Sequence, residues 1–213
     1  MNGASGGGWH CRGYLPHFES SRLTQHVTFH LADSLPENAL RLLNAELRHL
    51  SPEKQVTERR QRVDAWIDAG IGSCVLSKPD IAEMVQGSLF IFDSQRYRLF
   101  AWVVMPNHVH VLFEPAAEWK VATIVASWKK FTARKICDYY RNSDALSEGA
   151  VWHREYWDRY IRDRKHFGET VKYIHMNPVK AGLVDRAEKW KWSSAHPGNA
   201  NLPIGASRLS PKV

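Results

Sequence analysis

Cysteine is scarce in this chain: Cys11, Cys74 and Cys137 are three scattered residues with no Cys-x-x-Cys among them. An odd, unclustered set excludes a disulfide framework and a structural zinc cluster on paired thiolates, and it suits a reducing compartment. Long apolar runs are missing too. No stretch approaches the roughly 20 residues of a membrane span, and the first residues lack a signal-peptide core. The expectation is a cytoplasmic protein with no membrane partner. Acidic side chains are in the minority, 22 against 29 Lys and Arg, which leaves a net charge of +7. A surplus of that sign points to a polyanionic partner, because Lys and Arg release counterions condensed on phosphates. Core material is not lacking. Of 213 residues 44% are hydrophobic, with nine Trp, eight Phe and seven Tyr, enough for one domain with embellishments.

Residues 1–24 begin Gly3-Ala-Ser-Gly-Gly-Gly8 and show no period, so a partly mobile N-terminal arm is expected, with Arg12-Gly-Tyr-Leu-Pro-His17 as its candidate ordered part. Gln25-His-Val-Thr-Phe-His-Leu31 alternates and reads as the first strand. Ser34 is placed to cap a helix over 36–50. A charged helix over 52–69 follows, ended by Gly70-Ile-Gly72, and a further helix over 79–92. Strands over 97–104 and 109–113 flank Met105-Pro-Asn107 as a hairpin. A long helix over 121–140 carries Val121, Ile124, Val125, Trp128, Thr132 and Ile136 on its apolar face. Lys129, Lys130, Arg134 and Lys135 lie mostly off that stripe, as a solvated face or one turned to nucleic acid. A strand within 151–161 and a helix over 164–176, capped by Asp163 and stopped by Pro178, complete the elements. Residues 196–213 read as a flexible tail. The order matches a ferredoxin-like, split βαβ antiparallel sheet of the α+β class, with helices inserted after the first strand, over 25–195.

The chemistry gathers at two places. His108 and His110 stand two apart on the second hairpin strand, so both imidazoles leave one face, a plausible half of a divalent-metal site. Tyr173 and Asn177 are four apart at the end of the last helix, which puts a phenol and an amide oxygen a turn from each other. Two imidazoles and an amide oxygen leave positions open for phosphate oxygens and water, a set that tolerates Mg²⁺ or Mn²⁺. A tyrosine beside a metal-bound phosphate can attack phosphorus. Each feature alone also fits a plainer role: histidines facing solvent from a half-buried sheet, or an aromatic packed on an amphipathic helix. Tyr156 and Tyr160, and more remotely Tyr139 and Tyr140, are rival nucleophiles.

Met105-Pro-Asn-His-Val-His110, together with Tyr173-Ile-His-Met-Asn-Pro-Val-Lys-Ala-Gly-Leu-Val184, resembles the REP-associated tyrosine transposases. These are single-tyrosine members of the HUH endonuclease superfamily. Arg12 to His17, Val27-Thr-Phe29, Asp33-Ser-Leu-Pro36, Lys129-Lys-Phe-Thr-Ala-Arg134, Val151-Trp152 through Arg162-Asp163, and Trp190-Lys-Trp-Ser-Ser194 extend the likeness over about 12–195. The resemblance implies a metal-dependent ferredoxin-like nuclease that cuts and rejoins single-stranded DNA beside REP-type hairpins through a covalent 5′-phosphotyrosine. It implies His108 and His110 as metal ligands, Tyr173 as nucleophile, and Asn177 where insertion-sequence relatives carry glutamine. Arg12, Lys129, Lys130, Arg134 and Lys135 become candidate DNA contacts, and the enzyme would act at the bacterial nucleoid as a monomer or homodimer. The alternatives are a hairpin-binding module with weak or lost cleavage, and a phosphodiesterase that uses water.

Overall fold

The alternation in Gln25-His-Val-Thr-Phe-His30 is realised as a strand, and the sheet is assembled around it. The computed structural model describes residues 8–11, 16–19, 23–35, 37–141 and 150–199. β1 (Gly8–Cys11) and β2 (Pro16–Glu19) pair with each other as a separate antiparallel ribbon. β3 (Gln25–His30) leads to α1 (Glu37–Leu47), α2 (Pro52–Asp68) and α3 (Pro79–Ser88). The hairpin of β4 (Tyr97–Val104) and β5 (His108–Pro115) follows, then α4 (Val121–Tyr140), β6 (Trp157–Tyr160) and α5 (Arg164–Lys180). The second sheet has the order β4-β5-β3-β6 with every neighbouring pair antiparallel. With α1 and α2 set aside, this is the ferredoxin-like α+β order, strand–helix–strand–strand–helix–strand with the first and third strands in the middle.

Period-two patterning gives the sheet two unlike faces. Val27, Phe29, Leu99, Trp102, Val109 and Val111 point to the side covered by α3 and α4, where they pack with Ile81, Val85, Ile124, Val125 and Trp128. The other side carries Ala101, Val103 and Leu112 beneath Ile174 of α5. A register slip between Leu99 and Ala101 turns Phe100 to the same side, where its ring meets Phe167 edge-on at 5.3 Å. α1 and α2 form a helical hairpin with a small core of its own, Leu43, Leu47, Val63 and Ile67, packed against Trp157 of β6. Among the described residues no helix is long and apolar enough to cross a membrane.

Several expectations change on contact with the structure. Ser34 does not cap a helix; it lies in a 3-10 turn (Ala32–Ser34), and its hydroxyl donates to the Leu31 carbonyl at 2.7 Å. α3 ends at Ser88 rather than near residue 92. The region 1–24, read as lacking regular structure, contains β1 and β2. α5 is not stopped by Pro178 but runs to Lys180. Proline withholds one N–H from the turn before it, yet the end is closed normally. Ala181 donates to the Asn177 carbonyl at 3.0 Å and Leu183 to the Pro178 carbonyl at 2.9 Å, with Gly182 left-handed at φ 69°. Tyr173 and Asn177 are therefore one true helical turn apart. Asp163 caps the other end as expected, its Oδ1 accepting from the His166 N–H at 2.8 Å.

The segment around Trp190-Lys-Trp-Ser-Ser194 lies along the outer edge of β4. Val104 donates to the Trp192 carbonyl at 2.9 Å and Ser194 to the Trp102 carbonyl at 3.0 Å, so the exposed edge is covered. Asn199 then donates through Nδ2 to the carbonyls of Lys191 and Ser193, each at 2.8 Å. Residues 196–199 are thus fastened to the sheet, with a 3-10 turn at Pro197–Asn199, where the sequence suggests a loose tail. The rest of that tail, 200–213, lies outside the described residues.

Candidate active site

β5 lies between β4 and β3, so the two histidines sit inside the sheet rather than on its rim. His108 and His110 are 1% and 2% exposed, which removes the reading in which they face solvent. Their Nε2 atoms stand 3.1 Å apart. Nδ1 of His108 lies 2.7 Å from Oδ1 of Asn107. The amide of Asn107 has its orientation fixed, because Nδ2 donates to the carbonyls of Ile67 (2.9 Å) and Ile71 (3.1 Å). Oδ1 is therefore an acceptor, Nδ1 of His108 is the donor, and Nε2 of the neutral ring carries a lone pair. Nδ1 of His110 lies 2.8 Å from Thr28 Oγ1 and 3.3 Å from His26 Nε2, both on β3. Second partners of this kind are what orient imidazoles toward a cation.

α5 brings its own two groups to the same place. Asn177 is 1% exposed; its Nδ2 lies 3.2 Å from Nε2 of His110, while its Oδ1 is buried without a hydrogen-bond partner among the described residues. A half-turn of that amide exchanges the two atoms and presents the oxygen beside the Nε2 atoms of the two histidines. The Tyr173 ring stands edge-on to His110 at 5.3 Å and to His26 at 5.8 Å. Lys180 Nζ lies 5.0 Å from the centre of the Tyr173 ring. From α2, Asp68 places Oδ1 3.6 Å from Nε2 of His108.

These residues fit a divalent cation. Ligand atoms about 2.1 Å from a metal and at right angles to each other are about 3 Å apart, close to the 3.1 Å separation of the two Nε2 atoms. Burial, then the neighbouring His110 and His30, push His108 well below the usual imidazole range. His108 is therefore neutral at neutral pH, and an orphaned amide oxygen lies beside the pair.

His30, on the same face one strand away, is held at about 3 by burial and by the His153 ring stacked on it at 4.5 Å. Unfolded, it takes up a proton near pH 6.5. Between those values the unfolded chain binds more protons, so stability present in full above about pH 6.5 drains away toward pH 3. His30 alone can account for up to about 1.4 kcal/mol per pH unit in that window. Urea midpoints should therefore be clearly lower at pH 5 than at pH 7.5. Equal midpoints would mean that His30 is not buried neutral.

The remaining candidates lie elsewhere. Tyr156 packs in the core on the α4 side. Tyr160 pairs with Gln25, whose side chain leaves the face opposite His26, and Tyr139 and Tyr140 are on α4. Arg12 lies outside the described residues. Lys129 turns inward, donating to the carbonyls of His153 (2.6 Å) and Arg154 (2.9 Å), and burial lowers it to about 8. That makes it a tether for the 153–154 loop rather than a phosphate contact. Lys130, Arg134 and Lys135 are exposed beside Phe131 and Tyr139, on the helix across the sheet from Tyr173. If this basic, aromatic stripe contacts DNA, neutralising Lys130 and Arg134 together should flatten the salt dependence of binding by about 0.7 to 0.9 per lost phosphate contact. An unchanged slope would make the stripe a solvated face.

Sequence reasoning passed over Asp68, His26 and Thr28. The last two had a signal, since His26, Thr28 and His30 alternate on one strand. Asp68 had none, being one of several acidic residues on a charged helix.

Residues 75–177 match the family model for IS200-like transposases. The matched stretch includes His108, His110, Tyr173 and Asn177. Over 105 residues, 47% of this chain, it is 32% identical to a Haemophilus influenzae protein provisionally named a REP-associated tyrosine transposase, covering 60% of that protein. Over 102 residues it is 28% identical to the REP-associated tyrosine transposase of Escherichia coli K12, covering 55% of it. The chain thus spans a little over half the length of the curated relatives it matches. Among solved structures, a REP-associated tyrosine transposase bound to a REP hairpin aligns with a TM-score of 0.49 at 18% identity, covering 94% of this chain and 95% of that one. A provisionally named transposase from Deinococcus radiodurans aligns with a TM-score of 0.33 at 17% identity, covering 79% of this chain and 96% of that one. The family model and the two curated relatives bear out the resemblance carried by the two sequence motifs.

Proposed function

We propose that this chain is a tyrosine transposase that cleaves and rejoins single-stranded DNA beside REP-type hairpins, using a divalent cation and a covalent 5′-phosphotyrosine. The observation that carries the reading is a phenol packed against a metal-ready histidine: the Tyr173 ring lies 5.3 Å from His110, whose Nε2 faces that of His108 at 3.1 Å. The names of the curated relatives supply the REP association.

His108, His110 and Asn177 would hold Mg²⁺ or Mn²⁺, which when bound polarises the scissile phosphate and offsets charge on its oxygens. Tyr173 gives up its phenolic proton, and its oxygen attacks phosphorus as the bond to the 3′-oxygen breaks. The departing oxygen takes up a proton and leaves as a 3′-hydroxyl, while the 5′-phosphate stays on the enzyme. Lys180, 5.0 Å from the ring centre, sets a positive charge beside the developing phenolate. In the reverse direction a 3′-hydroxyl attacks the phosphotyrosine and frees Tyr173, so rejoining needs no outside energy. Tyr173 meets the histidines of its own chain, which supports an active site complete within a monomer. A chromosomal substrate would place the work in the bacterial cytoplasm, at the nucleoid.

Incubation with a single-stranded REP-type hairpin and Mn²⁺, resolved on a denaturing gel, tests this. A protein–DNA band that survives denaturation is the expected result. Cleaved DNA without that band would assign the reaction to water, and a shift seen only on a native gel would make the chain a hairpin-binding module.

A further inference from the structure

We propose that Asp68 is a fourth protein ligand to the cation, delivered to the histidines by the α1–α2 hairpin inserted into the ferredoxin-like order. The inference rests on the metal reading given above and adds to it a residue from outside the matched stretch 75–177. One oxygen of Asp68 and one nitrogen each of His108 and His110 all lie within 4.8 Å of one another. The carboxylate is 32% exposed and stands 3.6 Å from Nε2 of His108. Nδ1 of that ring faces Asn107, which leaves Nε2 as the ring nitrogen on the side of the carboxylate oxygen. A cation seated there would be within reach of both that nitrogen and the carboxylate oxygen.

The end of α2 is also fastened to this spot by an independent device. Nδ2 of Asn107 holds the carbonyls of Ile67 and Ile71, which bracket Asp68 in the chain, while Oδ1 of the same side chain orients His108. One asparagine thus fixes both a metal-facing imidazole and the helix end that carries the carboxylate. Ile67 beside it is 1% exposed, so the helix end is anchored in its own small core as well.

The chemical consequence is specific. Two imidazoles and an amide leave the loaded site with the full double charge of the cation, whereas a carboxylate reduces it to one. A hard anionic oxygen raises affinity for Mg²⁺ or Mn²⁺ in particular, and four protein ligands leave two of six positions for phosphate oxygen or water. Loading the cation should also tighten α2.

The test needs no DNA. Mn²⁺ is titrated into the metal-free full chain and free Mn²⁺ is read by electron paramagnetic resonance, for the wild type, Asp68→Asn and His108→Ala. Asp68→Asn should weaken binding at least about tenfold, since even groups that only orient ligands are worth 10–100-fold, with an unchanged thermal midpoint before metal is added. Hydrogen exchange on the wild type alone is the second measurement, and Mn²⁺ should slow exchange of amides in the last turns of α2. Asp68→Asn affinity within twofold of wild type, or no slowing in α2, would overturn the role of Asp68. His108→Ala would still lack the ion in that case, so the metal reading would stand. Wild-type chain that binds no Mn²⁺ would overturn both.

Discussion

Tyr173→Phe should abolish the covalent protein–DNA adduct and leave Mn²⁺ and hairpin binding at wild-type levels. The substitution keeps the ring that stands edge-on to His110 and His26, and with it most of the packing of α5 on the sheet. Tyr173 is only partly buried, so losing its hydroxyl should cost folding little. What is removed is the one atom of that side chain able to attack phosphorus, so covalent cleavage falls to background rather than by a modest factor. Tyr156→Phe and Tyr160→Phe are the controls. Tyr156 belongs to the core on the α4 side and Tyr160 pairs with Gln25 on β3, so neither reaches the histidine face and both variants should cleave normally.

The second large effect is expected at the histidines. His108→Ala or His110→Ala should lower cleavage by roughly 10³-fold or more, the equivalent of the several kcal/mol a Lewis acid supplies to a phosphoryl transfer. Hairpin affinity should change little. The stability of these variants separates the metal reading from a packing defect. In the metal-free wild type the two Nε2 atoms lie within hydrogen-bond distance at 3.1 Å, so removing either ring loses that contact and opens a cavity. Added Mn²⁺ should then raise the melting temperature of the wild type only. At a hundred times Kd that stabilisation is about 2.7 kcal/mol, or roughly 5–10 °C for a chain of this size. A histidine variant that cleaves at the wild-type rate, or that is stabilised by Mn²⁺ as the wild type is, would contradict the site.

Local pattern carried much of this architecture. Alternation in 25–31 and 97–113, and the apolar stripe of 121–140, gave β3, the β4–β5 hairpin and α4 nearly to the residue, because each of those elements buries one face and shows it in its spacing. The pairing of His108 with His110 was legible for the same reason, as was the turn between Tyr173 and Asn177. The parts that escaped are set by distant partners. Pro178 stays helical because the turn after it is closed by Ala181, Gly182 and Leu183, which local preference does not foresee. Asn199 is held by carbonyls that only the folded edge of β4 brings near. Asp68 meets His108 across 40 residues of chain, through an amide of Asn107 that looks like an ordinary turn residue. Lys129 reads as surface charge until the carbonyls of His153 and Arg154 are placed beneath it.

The central claim is that one phenol, held against a metal-ready histidine pair, becomes covalently joined to DNA. Trapping the adduct on a single-stranded hairpin with Mn²⁺, digesting the protein, and sequencing the nucleotide-bearing peptide by mass spectrometry tests it most directly. The account predicts the phosphodiester on Tyr173, within the peptide that also carries Asn177. A nucleotide on Tyr156, Tyr160 or any other residue, or strand cleavage with no residue modified, would contradict it.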